Sequence, residues 1–111
     1  MRVCPGGGKR AKGKGMPGYI GLYKYTSQGI GSIKSSPSRI KQVEQVAKQS
    51  GIRMVGMWVT MGESDLVAVW DAPDDQAMAA FTLSVASLGN VTTRTMRAFS
   101  EDEFAQIVGR L

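Results

Sequence analysis

The chain has 111 residues, no histidine, a single cysteine and a formal charge of +5 at pH 7. That length gives one domain with a modest core and excludes a second. The lack of histidine removes the commonest general base and the usual haem and zinc ligand, and one thiol excludes both an internal disulfide and a multi-cysteine metal site. The charge is not a nucleic-acid footprint, because Arg2, Lys9, Arg10, Lys12 and Lys14 supply five of the 14 cations and the other nine equal the nine acids. The body from residue 16 is neutral, and nucleic acid is not an expected partner.

Residues 1–15, MRVCPGGGKRAKGKG, mix glycine, proline and cations with almost nothing to bury, and read as a flexible basic leader ahead of a single domain, 16–111. Its Gly-rich run lacks the spacing and preceding strand of a phosphate loop. It also lacks the apolar core of about 7 to 15 residues that a secretory signal needs, and no run of about 18 apolar residues is present to span a membrane. A soluble, cytoplasmic protein is expected, and Cys4 fits a reducing compartment.

Tyr19 to Tyr25 alternates, with Ile20 and Leu22 on one side and Tyr19, Tyr23 and Tyr25 on the other, which predicts a first strand. Thr26 to Ser36 is rich in Gly and Ser and reads as a loop, with a short turn holding Ile30 and Ile33 inward. Ser36-Pro37 reads as a cap and first-turn proline, opening a helix through Ile40, Val43, Val46 and Ala47 that stops at Gly51. Ile52 to Met61 carries apolar residues in both phases, Met54 and Trp58 on one face and Val55, Met57, Val59 and Met61 on the other, as a strand covered on both sides does.

The stretch Gly62 to Asp75, GESDLVAVWDAPDD, organises the rest. Gly62 and Asp65 mark a hairpin turn, Leu66 to Trp70 is an apolar run too short for a helix, and Pro73, Asp74 and Asp75 open a second helix running to Leu88. Gly89-Asn90 ends it. Val91 to Phe99, bearing Thr and Arg, suits an edge strand, and Ser100-x-x-Glu103 is a capping box opening a short last helix with Phe104, Val108 and Leu111 on one side. The order β-α-β-β-α-β with a terminal helix predicts an α+β, ferredoxin-like sandwich with strands one and three central. Two helices cover only one face of such a sheet, yet strands two and three are apolar on both. The second face is therefore expected to meet another copy of the chain, most simply in a two-fold dimer with sheets back to back.

The segments YIGLYKYTSQGI (19–30), SPSR (36–39), GESD (62–65), APDD (72–75), SLGNV (87–91) and RAF (97–99), taken in this order, resemble the GYD domain family of small dimeric α/β-barrel-type proteins. The resemblance implies a ferredoxin-like fold and self-association, with sheets packed in a dimeric α/β barrel. It implies no activity, because relatives of this fold range from cofactor-free oxygenases and isomerases to ligand-sensing domains. Ser64 stands where the family's name motif has tyrosine.

Three functions fit these residues. In the first, a homo-oligomeric domain binds or senses a small, partly aromatic or anionic molecule between sheet and helices near the loop Thr26 to Ser36. Tyr19, Tyr23, Gln28, Arg39 and Trp58 are the candidate ligand-binding residues. In the second, a cofactor-free oxygenase or isomerase uses Tyr23, Glu63, Asp65 and Arg97 for proton transfer or anion stabilisation, provided an enclosed pocket holds at least two of them. The third is an oligomeric adaptor without a ligand. Bland readings stand beside each site: Asp65 as a turn cap, Glu63 and Arg39 as solvated charges, Arg94 and Arg97 as edge-strand charges, the tyrosines as packing. No cofactor and no resident metal is expected.

Overall fold

Alternation in the first strand decides which side of the sheet becomes the core. In the computed structural model, which describes residues 16–111, Tyr19 and Tyr23 of β1 (Gly18–Tyr25) are buried on the side that carries the helices, while Ile20 and Leu22 between them point to the other side. The other elements follow as α1 (Ser27–Gly31), one turn of 3-10 helix (Ile33–Ser35), α2 (Ser36–Gln49), β2 (Arg53–Val59), β3 (Leu66–Asp71), α3 (Asp75–Ser87), β4 (Val91–Ala98) and α4 (Glu101–Val108). The leader and Cys4 lie outside the described residues. Among those described, no helix is long and apolar enough to cross a membrane.

The four strands form one antiparallel sheet in the order β2-β3-β1-β4, with the first and third strands central as the split βαβ pattern predicts. Register fixes the faces. Tyr19 lies opposite Trp70 and Tyr23 opposite Leu66, and these side chains join Ala68, Ile52, Ala47, Met78 and Phe81 in the core beneath α2 and α3. The Trp70 and Phe81 rings meet edge to face, 5.0 Å between centroids at 66°, which pins α3 to the C-terminal half of β3. On the opposite face, Ile20 pairs with Val69 and Met96, and Leu22 with Val67 and Arg94. Among the described residues no helix covers that side.

The expected two-sided strand has a different phase from the one its sequence suggests. A register shift between Met54 and Gly56 in β2 inserts one residue, so Met54 and Met57 both face the helices and Trp58 lies on the open face across from Val67. Trp58 is 56% exposed there. The segment after β1 also departs from expectation. It coils into α1, which Thr26 caps through its hydroxyl, and the 3-10 turn, and Ile30 and Ile33 are exposed instead of turned inward. Ser36 does not cap α2. It sits in the first turn with helical backbone angles, buried, and its hydroxyl is bonded to the Tyr25 hydroxyl instead.

Other ends form as their residues dictate. Asp74 accepts the Ala77 amide at 2.8 Å to open α3, and Ser100 and Glu103 form the reciprocal capping box of α4 at 3.1 and 2.8 Å. In the β2–β3 hairpin, Gly62 takes a φ of +109°, which a residue with a Cβ rarely adopts. Asp65 then reaches across to β1, its carboxylate accepting the Tyr25 amide at 2.9 Å while its own amide donates to the Tyr23 carbonyl at 2.8 Å. Glu63 is exposed, and only its carbonyl is engaged, by Lys24. Asp65→Ala would orphan a part-buried amide, so we expect it to lower unfolding stability by about 1–3 kcal/mol in urea titration. Glu63→Ala should stay within about 0.5 kcal/mol of the parent.

Candidate functional site

Small residues in the sheet and a gap between the two covering helices leave space inside the sandwich. A half-open cavity of about 80 Å³ lies between the sheet, α2 and α3, at the end where the Thr26–Ser35 segment crosses. Its floor is Leu66, Ala68 and Trp70 of β3 with Met54 and Met57 of β2. Its walls are Ile40 and Val43 of α2 and Val85 and Leu88 at the end of α3. One water needs about 10–15 Å³ measured in this way, so the space admits a small organic group.

The polar groups of the cavity gather near the crossing segment. Tyr23 lies over Gly21, where an added Cβ would fall 2.3 Å from the Tyr23 hydroxyl, so the glycine is what lets the ring lie flat along β1. In that pose the hydroxyl accepts a hydrogen bond from Trp70 Nε1 at 2.9 Å. Burial pushes the Tyr23 phenol upward from its ordinary pKa, and the Trp70 bond opposes this only in part. It stays protonated at neutral pH and is no base there. Next along β1, the Tyr25 hydroxyl bonds the Ser36 hydroxyl. Arg39, one turn of α2 further on, folds back so that Nη1 donates to the Ser32 carbonyl at 3.1 Å, the Ser32 hydroxyl at 3.2 Å and the Ser35 hydroxyl at 2.5 Å. Its Nη2 is buried and has no hydrogen-bond partner.

The crossing segment is itself tied to the start of β4. Thr26 donates its amide to the Asn90 carbonyl at 3.0 Å and its hydroxyl to the Gly89 carbonyl at 2.6 Å, while Gln28 Nε2 donates to the Leu88 carbonyl and to Asn90 Oδ1. Gln28 is thus a strap across this end of the sandwich and does not line the cavity. Of the candidate ligand-binding residues, Tyr23 and Arg39 line it, and the structure adds Tyr25, Ser36 and Asn90. Trp58 is on the far face of the sheet.

Tyr19 lies at the other end of β1. Its hydroxyl donates to the Asp75 carboxylate, and the Arg97 guanidinium sits 5.6 Å from its ring centroid and 4.4 Å from that of Phe99. Arg97 also donates to the Gly18 and Ala98 carbonyls and lies 3.8 Å from Glu103. The four groups expected to serve acid–base chemistry therefore occupy separate places, with Tyr23 in the cavity, Glu63 and Asp65 in the hairpin and Arg97 beside Tyr19. They do not share a pocket. Asp71, held by Arg53 at 2.7 Å, and Asp74 serve strand and helix ends. Among the described residues no group of three or more His, Cys, Asp or Glu is placed to hold a metal.

Burial first, then the hydrogen bond and charge of Asp75, push the Tyr19 pKa up to about 12, against a lowering by Arg97. Between the ordinary tyrosine pKa and that raised value the unfolded chain releases this proton while the folded chain keeps it. The stabilisation is therefore whole below about pH 10 and is lost as pH rises toward 12. Urea midpoints across this window should fall more steeply for the parent than for Tyr19→Phe. Parallel curves would refute the assignment.

The model of the GYD domain family matches residues 19–108, from the first buried tyrosine to the last residue of α4. A relative from Thermus thermophilus, named glutamine synthetase and cystathionine beta-lyase binding protein, is 34% identical over 97 residues, covering 86% of this chain and 99% of its own. No solved structure matches the chain. A family match over all four strands and a full-length relative at this identity agree with the fold read from the residues, and the chain belongs to the GYD domain family.

Proposed function

We propose that this protein is a homo-oligomeric binding domain. Two copies pair through the open faces of their sheets, and the resulting particle binds other proteins, metabolic enzymes being the first candidates, while each cavity holds a small molecule. The observation that carries this reading is the open face itself. Ile20, Leu22, Val67, Val69 and Met96 form a contiguous apolar surface there with Trp58 at its margin, and the central pairs Ile20–Val69 and Leu22–Val67 sit in its middle. Four strands of this length span on the order of 400 Å² in projection. The apolar part of that area is comparable to the largest patch a soluble monomer exposes, and such patches are often functional.

A second copy is the best-matched occupant. The middle of the face carries no charge: Arg94 lies across from Leu22, Lys24 at one end of β1 and the Arg53–Asp71 pair at the opposite end of the sheet, so two identical faces related by a two-fold axis can meet through Ile20, Val67 and Val69 without opposing like charges there. α4 leaves Phe104 62% and Val108 46% exposed, apolar surface that a partner could also cover. The wider partner role rests on the relative, whose name states that it binds glutamine synthetase and cystathionine beta-lyase. Its small-molecule side rests on the cavity.

Val67→Glu places a charge between Leu22 and Trp58 on the open face without touching the helix-side core. We expect it to keep the far-UV circular dichroism of the parent but to elute at the size of one chain in gel filtration, where the parent elutes larger. Identical elution would remove the open face as the interface. For the partner role, immobilised chain is titrated with purified glutamine synthetase and, separately, cystathionine beta-lyase. Saturable binding to either supports the role. No binding to both overturns enzyme docking for these two partners.

A further inference from the structure

We propose that the cavity between sheet and helices takes an uncharged, ring-sized molecule that is mostly hydrocarbon, held by the apolar walls with no ion pair to the chain. This rests on the reading above that the cavity holds a small molecule, and it names the class.

The first argument is the wall. In an unbroken strand, residues three apart face opposite ways, but the register shift in β2 turns both Met54 and Met57 into the same side of the space. Leu66 and Ala68 of β3 continue that surface, and Val43 of α2 and Val85 of α3 close the sides. Methionine is unbranched, so its end adapts to the outline of a ring, and its sulfur makes favourable contact with an aromatic edge.

The second argument is that the polar groups around the space are spent within the chain. The Tyr23 hydroxyl takes the Trp70 Nε1 hydrogen bond at 2.9 Å, and the Tyr25 and Ser36 hydroxyls bond each other. Asn90 holds Thr26 through its carbonyl and Gln28 through Oδ1. Arg39 is the one charged residue of the lining. Its Nη1 is given to Ser32 and Ser35, and its Nη2 is buried out of reach of solvent and so of anything that occupies the cavity. An ion entering here would lose its hydration with no opposite charge to meet. Water is held poorly as well, since it needs two to four polar partners, and an apolar occupant gains by displacing it.

The third argument is size. A space of about 80 Å³ is several times the roughly 10–15 Å³ that one water needs, and it admits a body on the order of six or seven non-hydrogen atoms, that of one substituted ring.

Toluene, benzoate and benzylammonium share a ring and differ in charge. Each is titrated into the full chain carrying labelled methionine methyl groups and followed by nuclear magnetic resonance. Met54 and Met57 report on the cavity, and Met96, across from Ile20, reports on the open face of the sheet. Toluene should move the Met54 and Met57 signals saturably, and the two ions should bind there roughly tenfold or more weakly. Val43→Phe, which fills the space from α2, should weaken toluene by a similar factor. If circular dichroism shows that this variant does not fold, Val85→Phe takes its place, and if neither folds the three probes on the parent decide. Either ion moving the Met54 and Met57 signals as tightly as toluene overturns the class while leaving the cavity as a small-molecule site. Movement of Met96 alone, no movement with any probe, or a toluene affinity untouched by the filled variant overturns the cavity site as well.

Discussion

A sheet has two faces, and the described residues supply helices for only one of them. The β-α-β-β-α-β connection sends α2 and α3 to the same side, because the crossovers from β1 to β2 and from β3 to β4, each passing over one intervening strand, share one hand. The central strands nevertheless carry apolar side chains in both phases, Tyr19, Tyr23, Leu66 and Trp70 inward and Ile20, Leu22, Val67 and Val69 outward. Hydrophobic surface left in water forfeits about 25 cal/mol for each Å² that burial would have covered. The self-association proposed above is a response to that asymmetry, which divides the molecule into an open face and a helix-covered face that holds the cavity.

The helix-covered face owes its cavity to small residues at central positions. Gly21 and Ala68 lie opposite each other in neighbouring strands and leave room that a larger pair would fill. Tyr23 uses part of it by lying along β1 and closing a hydrogen bond with Trp70. The rest opens toward α2, where Arg39, Tyr25 and Ser36 collect. The Thr26–Asn90 and Gln28–Asn90 bonds hold the crossing segment in place, so these polar groups rest on a braced support and not on a free loop. The GESD motif works at the same end of the sheet: Gly62 turns the chain and Asp65 ties it to Tyr25. With serine at position 64, the motif's glycine and aspartate still perform these backbone roles.

Most of the architecture was legible because it rests on repetition. Period-two patterns in β1 and β4, helical spacing in α2 and the capping box of α4 each involve several residues that agree with one another. What escaped reading depends on single events. One inserted residue in β2 reverses the side to which Trp58 points, and nothing in RMVGMWV signals it except a glycine. A threonine cap opens a helical turn after β1, and Ile30 and Ile33 are exposed, although their hydrophobicity argues for the core. Ser36 looked like a cap because it precedes proline, and only the position of Tyr25 shows where its hydroxyl goes. Tyr23 and Arg39 could be named from type and place along the chain. The orphaned Nη2 could not, because it depends on how three serine oxygens gather around the other nitrogen of the same fork.

The central claim is that one copy of this chain leaves an apolar face which a second copy covers. Sedimentation equilibrium of the full chain at micromolar concentration tests it most directly. The account predicts a mass of two chains or a larger whole multiple. A single species with the mass of one chain would contradict it.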